Sequence, residues 1–109
     1  MYYVYMIRCI DNSLYTGIAS DVVKRLKEHF GKSDKKAKYT KSHTPLRLEA
    51  VWRCKSKSDA LKLEYRLKEL TKPEKEKLIL ENYAPESICI KLMELDFDRL
   101  NVNEIEYRD

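Results

Sequence analysis

The stretch Tyr2-Tyr3-Val4-Tyr5-Met6-Ile7-Arg8-Cys9, followed after Asp11-Asn12-Ser13 by Leu14-Tyr15-Thr16-Gly17-Ile18, decides the fold. The first run is rich in tyrosine, valine and isoleucine, side chains that suit a pleated, half-buried surface. Asp11-Asn12-Ser13 is a turn cluster, because short polar side chains bond their own backbone and tolerate a chain reversal. The second run then returns. Together they predict an N-terminal β-hairpin. Gly17 sits inside the returning strand, a placement that marks close approach of another group to the backbone.

Working outward, Ser20 is positioned to cap a helix over residues 21–30, with Asp21 favourable in its first turn. Val22, Val23, Leu26 and Phe30 form its buried face and Gly31 its C-cap. Arg25 and His29 are four residues apart and share one flank of that face. Lys24, Lys27 and Glu28 point away. Residues 31–45 are polar and basic and read as loop. Leu48, Ala50 and Trp52 alternate within residues 46–53, a third strand. Ser56 or Ser58 caps a second helix to about Leu70, with Ala60, Leu63, Leu67 and Leu70 buried. Glu64 falls on the margin of that stripe. Thr71 and Glu74 form a capping box with Pro73 in the first turn, opening a third helix to about Asn82. The order β-β-α-β-α-α predicts an α+β fold, a small three-stranded antiparallel sheet flanked by helices. Residues 1–83 form the domain and residues 84–109 a tail that packs on it or extends it.

The length of 109 residues suits one domain. No apolar run approaches the ~20 residues of a membrane span. The start, MYYVYMIRCIDN, has neither a basic leader region nor a small-residue cleavage site. Cys9, Cys54 and Cys89 are widely spaced with no CxxC pair, which argues for packing residues rather than a zinc or redox motif. Free thiols fit a reducing cytoplasm. Lys32, Lys35, Lys36, Lys38 and Lys41 crowd one segment with Asp34 as its lone acid, whereas residues 94–109 are acidic on balance. That asymmetry predicts a basic face for a polyanion.

Tyr3-Val4-Tyr5 followed by Tyr15-Thr16-Gly17 resembles the paired signature of the GIY-YIG nuclease superfamily. The segment from Ser20 to His29 resembles the helix bearing that family's essential arginine, here Arg25, and its frequent histidine, here His29. The segment from Ala60 to Lys68 resembles the helix bearing its metal-binding glutamate, here Glu64. Ala37-Lys38-Tyr39-Thr40 and the segment from Glu74 to Ile79 are similar to the branch of small, stand-alone, mostly bacterial members. The resemblance spans residues 2–80. Tyr3 stands at the first glycine of the signature and Thr16 at an isoleucine. A late asparagine used by some members has no assigned counterpart, and Asn82 lies outside any motif match.

The resemblance implies a divalent-metal-dependent endonuclease acting on the phosphodiester bonds of DNA, or of RNA or branched and repair intermediates. The motif core offers a single carboxylate, Glu64, so one Mg²⁺ or Mn²⁺ is implied, held by Glu64, waters and substrate phosphate. Arg25 would grip non-bridging oxygens. Tyr5 is the first choice of general base, with Tyr15 supporting it or exchanging that role. A phenol with an ordinary pKa near ~10 needs the metal, Arg25 or Lys68 to favour phenolate. His29 orients a tyrosine or relays its proton. Lys32, Lys35, Lys36, Lys38, Tyr39, Lys41, Lys68 and Lys75 form the implied nucleic-acid surface, through phosphate contacts and base stacking. Taken singly, these residues have plain explanations: strand tyrosines, a solvated arginine, an i,i+4 pair of Glu64 with Lys68. The ordered set favours chemistry. The alternative from a different class is a nucleic-acid-binding module with negligible turnover, and a third is a protein adaptor using the tail.

Overall fold

A computed structural model describes residues 1–32, 34–82, 92 and 94–108. Strand β1 (Tyr2–Cys9) and strand β2 (Leu14–Ala19) form the expected antiparallel hairpin, with Tyr5 directly opposite Gly17. Asn12 closes the turn with a φ of 71°, a left-handed conformation that asparagine tolerates better than most residues. Strand β3 (Pro45–Cys54) pairs antiparallel with the other side of β1.

The three-stranded expectation needs correction. Strand β4 (Phe97–Leu100), drawn from the tail, pairs antiparallel with the end of β3 and makes a four-stranded sheet in the order β2-β1-β3-β4. Phe97-Asp98-Arg99-Leu100 is short and half charged, so periodicity does not announce it. It becomes a strand because β3 otherwise presents an unpaired edge.

Helix α1 (Val22–Phe30) is capped by Asp21, whose side chain accepts from the Lys24 N–H at 3.1 Å; the cap is therefore one residue later than Ser20. The segment read as loop contains a one-turn helix, α2 (Lys38–Ser42). So short a helix carries no apolar repeat to betray it. Helix α3 (Lys57–Lys68) takes Ser56 as its N-cap, and helix α4 (Lys72–Glu81) has the anticipated Thr71/Glu74 capping box. Asn82 ends α4 in a left-handed conformation.

Central β1 is covered on both faces. Val4 and Met6 pack with Ala50, Trp52 and the α3 residues Ala60, Leu63 and Leu67. Tyr5, Ile7 and Cys9 pack on the other face with Val22 and Leu26 of α1. The tail reaches this second face, where Leu100, Val102, Ile105 and Tyr107 pack. The Leu48 N–H donates to the Tyr107 hydroxyl at 3.0 Å. Arg99 donates to the Leu78 and Ile79 carbonyls, both at 2.9 Å, binding tail to helix end. The last carbonyls of a helix lack internal partners and carry partial negative charge, so a guanidinium there answers both needs.

Arg8 is buried within β1, and the sequence reading passed over it. It donates to Glu49 at 2.9 Å, to Asn12 at 2.7 Å and to Glu76 at 2.8 Å. A bulge leaves Glu49 without a partner on β1, because Met6 pairs with Ala50 and Ile7 with Leu48. Bulges re-aim side chains, and this one turns Glu49 onto Arg8. Cys9 and Cys54 are buried free thiols, as packing residues should be. Cys89 lies outside the described residues.

Candidate active site

Three elements bring aromatic and charged side chains to one place beside β2. Tyr5 comes from β1, Tyr15 from β2, and Arg25 and His29 from α1. Tyr5 and His29 are fully buried. The Tyr5 hydroxyl and His29 Nε2 are 2.7 Å apart. The Tyr15 ring centroid lies 6.3 Å from that of Tyr5 and 5.4 Å from that of His29. Gly17 permits this cluster: a Cβ there would fall 2.5 Å from the Tyr5 hydroxyl oxygen. The close approach expected at Gly17 is therefore made by Tyr5 itself.

Behind His29 stands Thr40 of α2, a buried residue that sequence reasoning placed in a motif but gave no role. His29 Nδ1 and Thr40 Oγ1 are 2.8 Å apart, and Thr40 Oγ1 lies 3.2 Å from the Ala37 carbonyl oxygen. A carbonyl only accepts, so it takes the single hydroxyl proton of Thr40. Thr40 Oγ1 then accepts from His29 Nδ1–H, which leaves Nε2 as acceptor for the Tyr5 hydroxyl. This assignment follows from the hydrogen-bond network. The signal in the sequence was a threonine inside a polar segment, which local pattern alone does not distinguish from a solvated loop residue.

Burial, then the proximity of Arg25, pushes His29 down to about 4, so its imidazole is neutral near neutral pH. Burial also raises both phenols above their ordinary value; Arg25 opposes this shift, and Glu64 adds to it. Glu64 comes from α3, on the other face of the sheet, yet its charge acts on Tyr5 and Tyr15 alike. Its side chain is 17% exposed and faces Lys68 Nζ at 3.6 Å. Tyr5 and Tyr15 thus feel both Arg25 and Glu64, and Arg25 acts on His29 as well.

Arg25 is engaged. It donates to Glu28 at 2.9 Å and to the Lys35 carbonyl. Glu28 therefore turns toward Arg25, contrary to its reading as a residue pointing away. Among the described residues no group of three His, Cys, Asp or Glu side chains converges as a metal cluster. A single carboxylate suits a hard cation that keeps most of its waters, such as Mg²⁺.

The basic residues divide by position. Lys36 acts on His29 electrostatically, and Lys35 on Glu28. Lys32, Lys38 and Lys41 are exposed. Lys75 is half-buried beside Lys68 and Lys72, whose charges depress its pKa after burial does so. Tyr39 stacks with two rings, Tyr15 at 5.5 Å and His43 at 3.9 Å between centroids.

A hairpin with paired tyrosines, an Arg/His helix and a carboxylate helix, arranged in this order on an α+β sheet, define a catalytic-domain class that comparison with known proteins identifies. The family model described as the GIY-YIG catalytic domain matches residues 1–77, and the chain belongs to this nuclease superfamily. It is 50% identical over 78 residues to UPF0213 protein FN1575 of Fusobacterium nucleatum, covering 72% of this chain and 76% of that one. It is 42% identical to UPF0213 protein BH0048 of Halalkalibacterium halodurans over 84% of this chain and 95% of that one. UPF0213 protein YhbQ of Salmonella arizonae is 42% identical over 84% of this chain and 89% of its own. The solution NMR structure of BH0048 from Bacillus halodurans aligns with a TM-score of 0.50, covering 84% of this chain and 97% of that chain.

Proposed function

We propose that this protein is an endonuclease that hydrolyses phosphodiester bonds of DNA with one Mg²⁺ or Mn²⁺, RNA and branched or repair intermediates falling within the same chemistry. The observation that supports this reading best is the convergence of Tyr5, Tyr15, Arg25, His29 and Glu64 from separate elements of a GIY-YIG domain. Glu64 would hold the ion, which supplies charge neutralisation at the phosphate and the leaving oxygen.

Each side chain has work in that reaction. Arg25 exchanges its contacts with Glu28 and the Lys35 carbonyl for non-bridging phosphate oxygens, where a planar fork binds best. The water oxygen forms the new bond to phosphorus as the bond to the leaving oxygen breaks. The water proton passes to the Tyr5 oxygen while the Tyr5 hydroxyl proton passes to His29 Nε2, 2.7 Å away. Neutral His29 is the base at the end of this relay. Tyr15 supports Tyr5 or exchanges roles with it. Lys32, Lys35, Lys36, Lys38, Lys41, Lys68 and Lys75 form the phosphate-binding surface. Residues 1–83 make up the catalytic domain, and residues 84–109 are a tail that packs on it or extends it. No helix among the described residues is long and apolar enough to cross a membrane. The cytoplasm, where free thiols persist, is the proposed location.

A second reading, a nucleic-acid-binding module with negligible turnover, draws support from the raised phenols and the engaged Arg25. One experiment separates the two: incubation of branched, single-stranded and duplex substrates with Mg²⁺ or Mn²⁺. Metal-dependent cleavage that is lost in Arg25→Ala and in Glu64→Ala is expected. Absence of cleavage by the native protein, or cleavage surviving both substitutions, overturns the nuclease reading.

A further inference from the structure

A column of rings leads from the candidate active site to the surface. Tyr15 and Tyr39 stack with centroids 5.5 Å apart at 20° between planes, and Tyr39 and His43 with centroids 3.9 Å apart at 5°. Tyr39, the residue that composition singles out for base stacking, is itself stacked within this column, on Tyr15 and on His43. His43 stands at the outer end, with 35% of its side chain exposed. We propose that the outer face of His43 is a stacking platform for an unpaired nucleobase flanking the scissile phosphate. This rests on the reading of the site as a phosphodiester-cleaving centre, and it adds the class of substrate: a nucleic acid with a single-stranded or splayed nucleotide at that position.

Three features carry the assignment. The imidazole is held in place before any ligand arrives, because its Nδ1 lies 3.0 Å from both the Tyr39 carbonyl oxygen and Ser42 Oγ. The His43 N–H also donates to the Tyr39 carbonyl at 2.9 Å. A ring fixed in this way loses little freedom on binding. Cations dominate the surroundings: Lys38 and Lys41 are exposed on the same helical turn and Lys36 lies near enough to act on His29, while Asp11 Oδ2 stands 3.8 Å from His43 Nε2 at the ring edge. An aromatic face bordered by cations is what binds single strands without reading their sequence, the base stacking while phosphates meet lysines. Paired bases inside a duplex have both faces occupied by their neighbours, so a base able to use His43 must be unstacked on one side. Finally, the platform joins the candidate active site through Tyr15, so a stacked base is held beside the bond to be cut.

The test is binding of single-stranded oligonucleotides by the full-length protein without divalent metal, read by fluorescence anisotropy. One abasic position is walked along the oligonucleotide. Native protein is expected to lose roughly five- to a hundredfold in affinity when the abasic position falls on the platform. His43→Ala should bind intact and abasic oligonucleotides alike, and His43→Trp should restore the preference. Thermal melts confirm that each variant is folded, and the non-aromatic His43→Leu serves if His43→Ala is not. Native affinity indifferent to the abasic position, or His43→Ala matching native on the intact oligonucleotide, overturns the proposal. Metal-dependent cleavage together with that indifference sinks the platform and leaves the nuclease. Base-dependent binding without cleavage does the reverse.

Discussion

The ring of Tyr5 lies against the backbone of Gly17, its partner across the hairpin, so closely that a Cβ at residue 17 would stand 2.5 Å from the phenolic oxygen and 2.6 Å from Cζ. The backbone of Gly17 is not in the left-handed region, so the glycine answers a need for space. Gly17→Ala should force Tyr5 off His29 and cost about 1–3 kcal/mol of stability, as overpacking does. Denaturant unfolding measures the cost, and loss of the Tyr5–His29 hydrogen bond by NMR locates it. A fully stable variant with that bond intact would show that the sheet yields instead.

Thr40 fixes the tautomer of His29 from behind. Thr40→Val keeps the shape but removes the acceptor for Nδ1–H, leaving a buried donor unsatisfied at about 1–3 kcal/mol. Nitrogen chemical shifts of His29 should report protonated Nδ1 in the native protein and in Thr40→Ser, and a changed or mixed tautomer in Thr40→Val. Cleavage should follow the tautomer, falling in Thr40→Val by about tenfold or more and recovering in Thr40→Ser.

Acid should destabilise the fold in two successive windows. His29 titrates at about 4 when folded against 6.5 ordinarily, so between those values the unfolded chain binds a proton that the native state refuses. Stability therefore falls as pH drops through that window. Between about pH 7 and about pH 5 the loss should be on the order of 2 kcal/mol, and His29→Gln should remove most of the difference. Glu76, held down to about 2 mainly by its hydrogen bond from Arg8, contributes stability above its ordinary 4.5 that disappears as pH falls toward 2. Arg8→Met should flatten that second window in urea titrations carried out across acid pH.

Thr16 carries a buried hydroxyl with no hydrogen-bond partner among the described residues. Thr16→Val keeps the shape and removes the unsatisfied group, so it should stabilise the protein by about 1 kcal/mol and raise the melting midpoint by roughly 4 °C or more. Calorimetry checks this. A lowered midpoint would mean that the hydroxyl has a partner in solution.

Much of the site was legible because its residues carry local signals as well. Tyr5 and Tyr15 lie in strands that their composition forces, Arg25 and His29 are one helical turn apart, and Glu64 borders an apolar stripe that any helix over residues 57–68 must bury. What was illegible belongs to residues whose role depends on a distant neighbour. Thr40 gains meaning from His29, and Glu49 from Arg8 through a bulge. Phe97-Asp98-Arg99-Leu100 is a strand because β3 has an edge to pair.

The sequence by itself determined the hairpin, the amphipathic helices with their caps, and the family to which their order belongs, because each rests on interactions within a few residues. The tertiary structure alone decided the fourth strand, the direction of the Tyr5–His29–Thr40 hydrogen bonds and the ring column ending at His43. Those depend on which groups burial brings within about 3 Å for a hydrogen bond, or into stacking contact, and chain spacing does not encode such encounters.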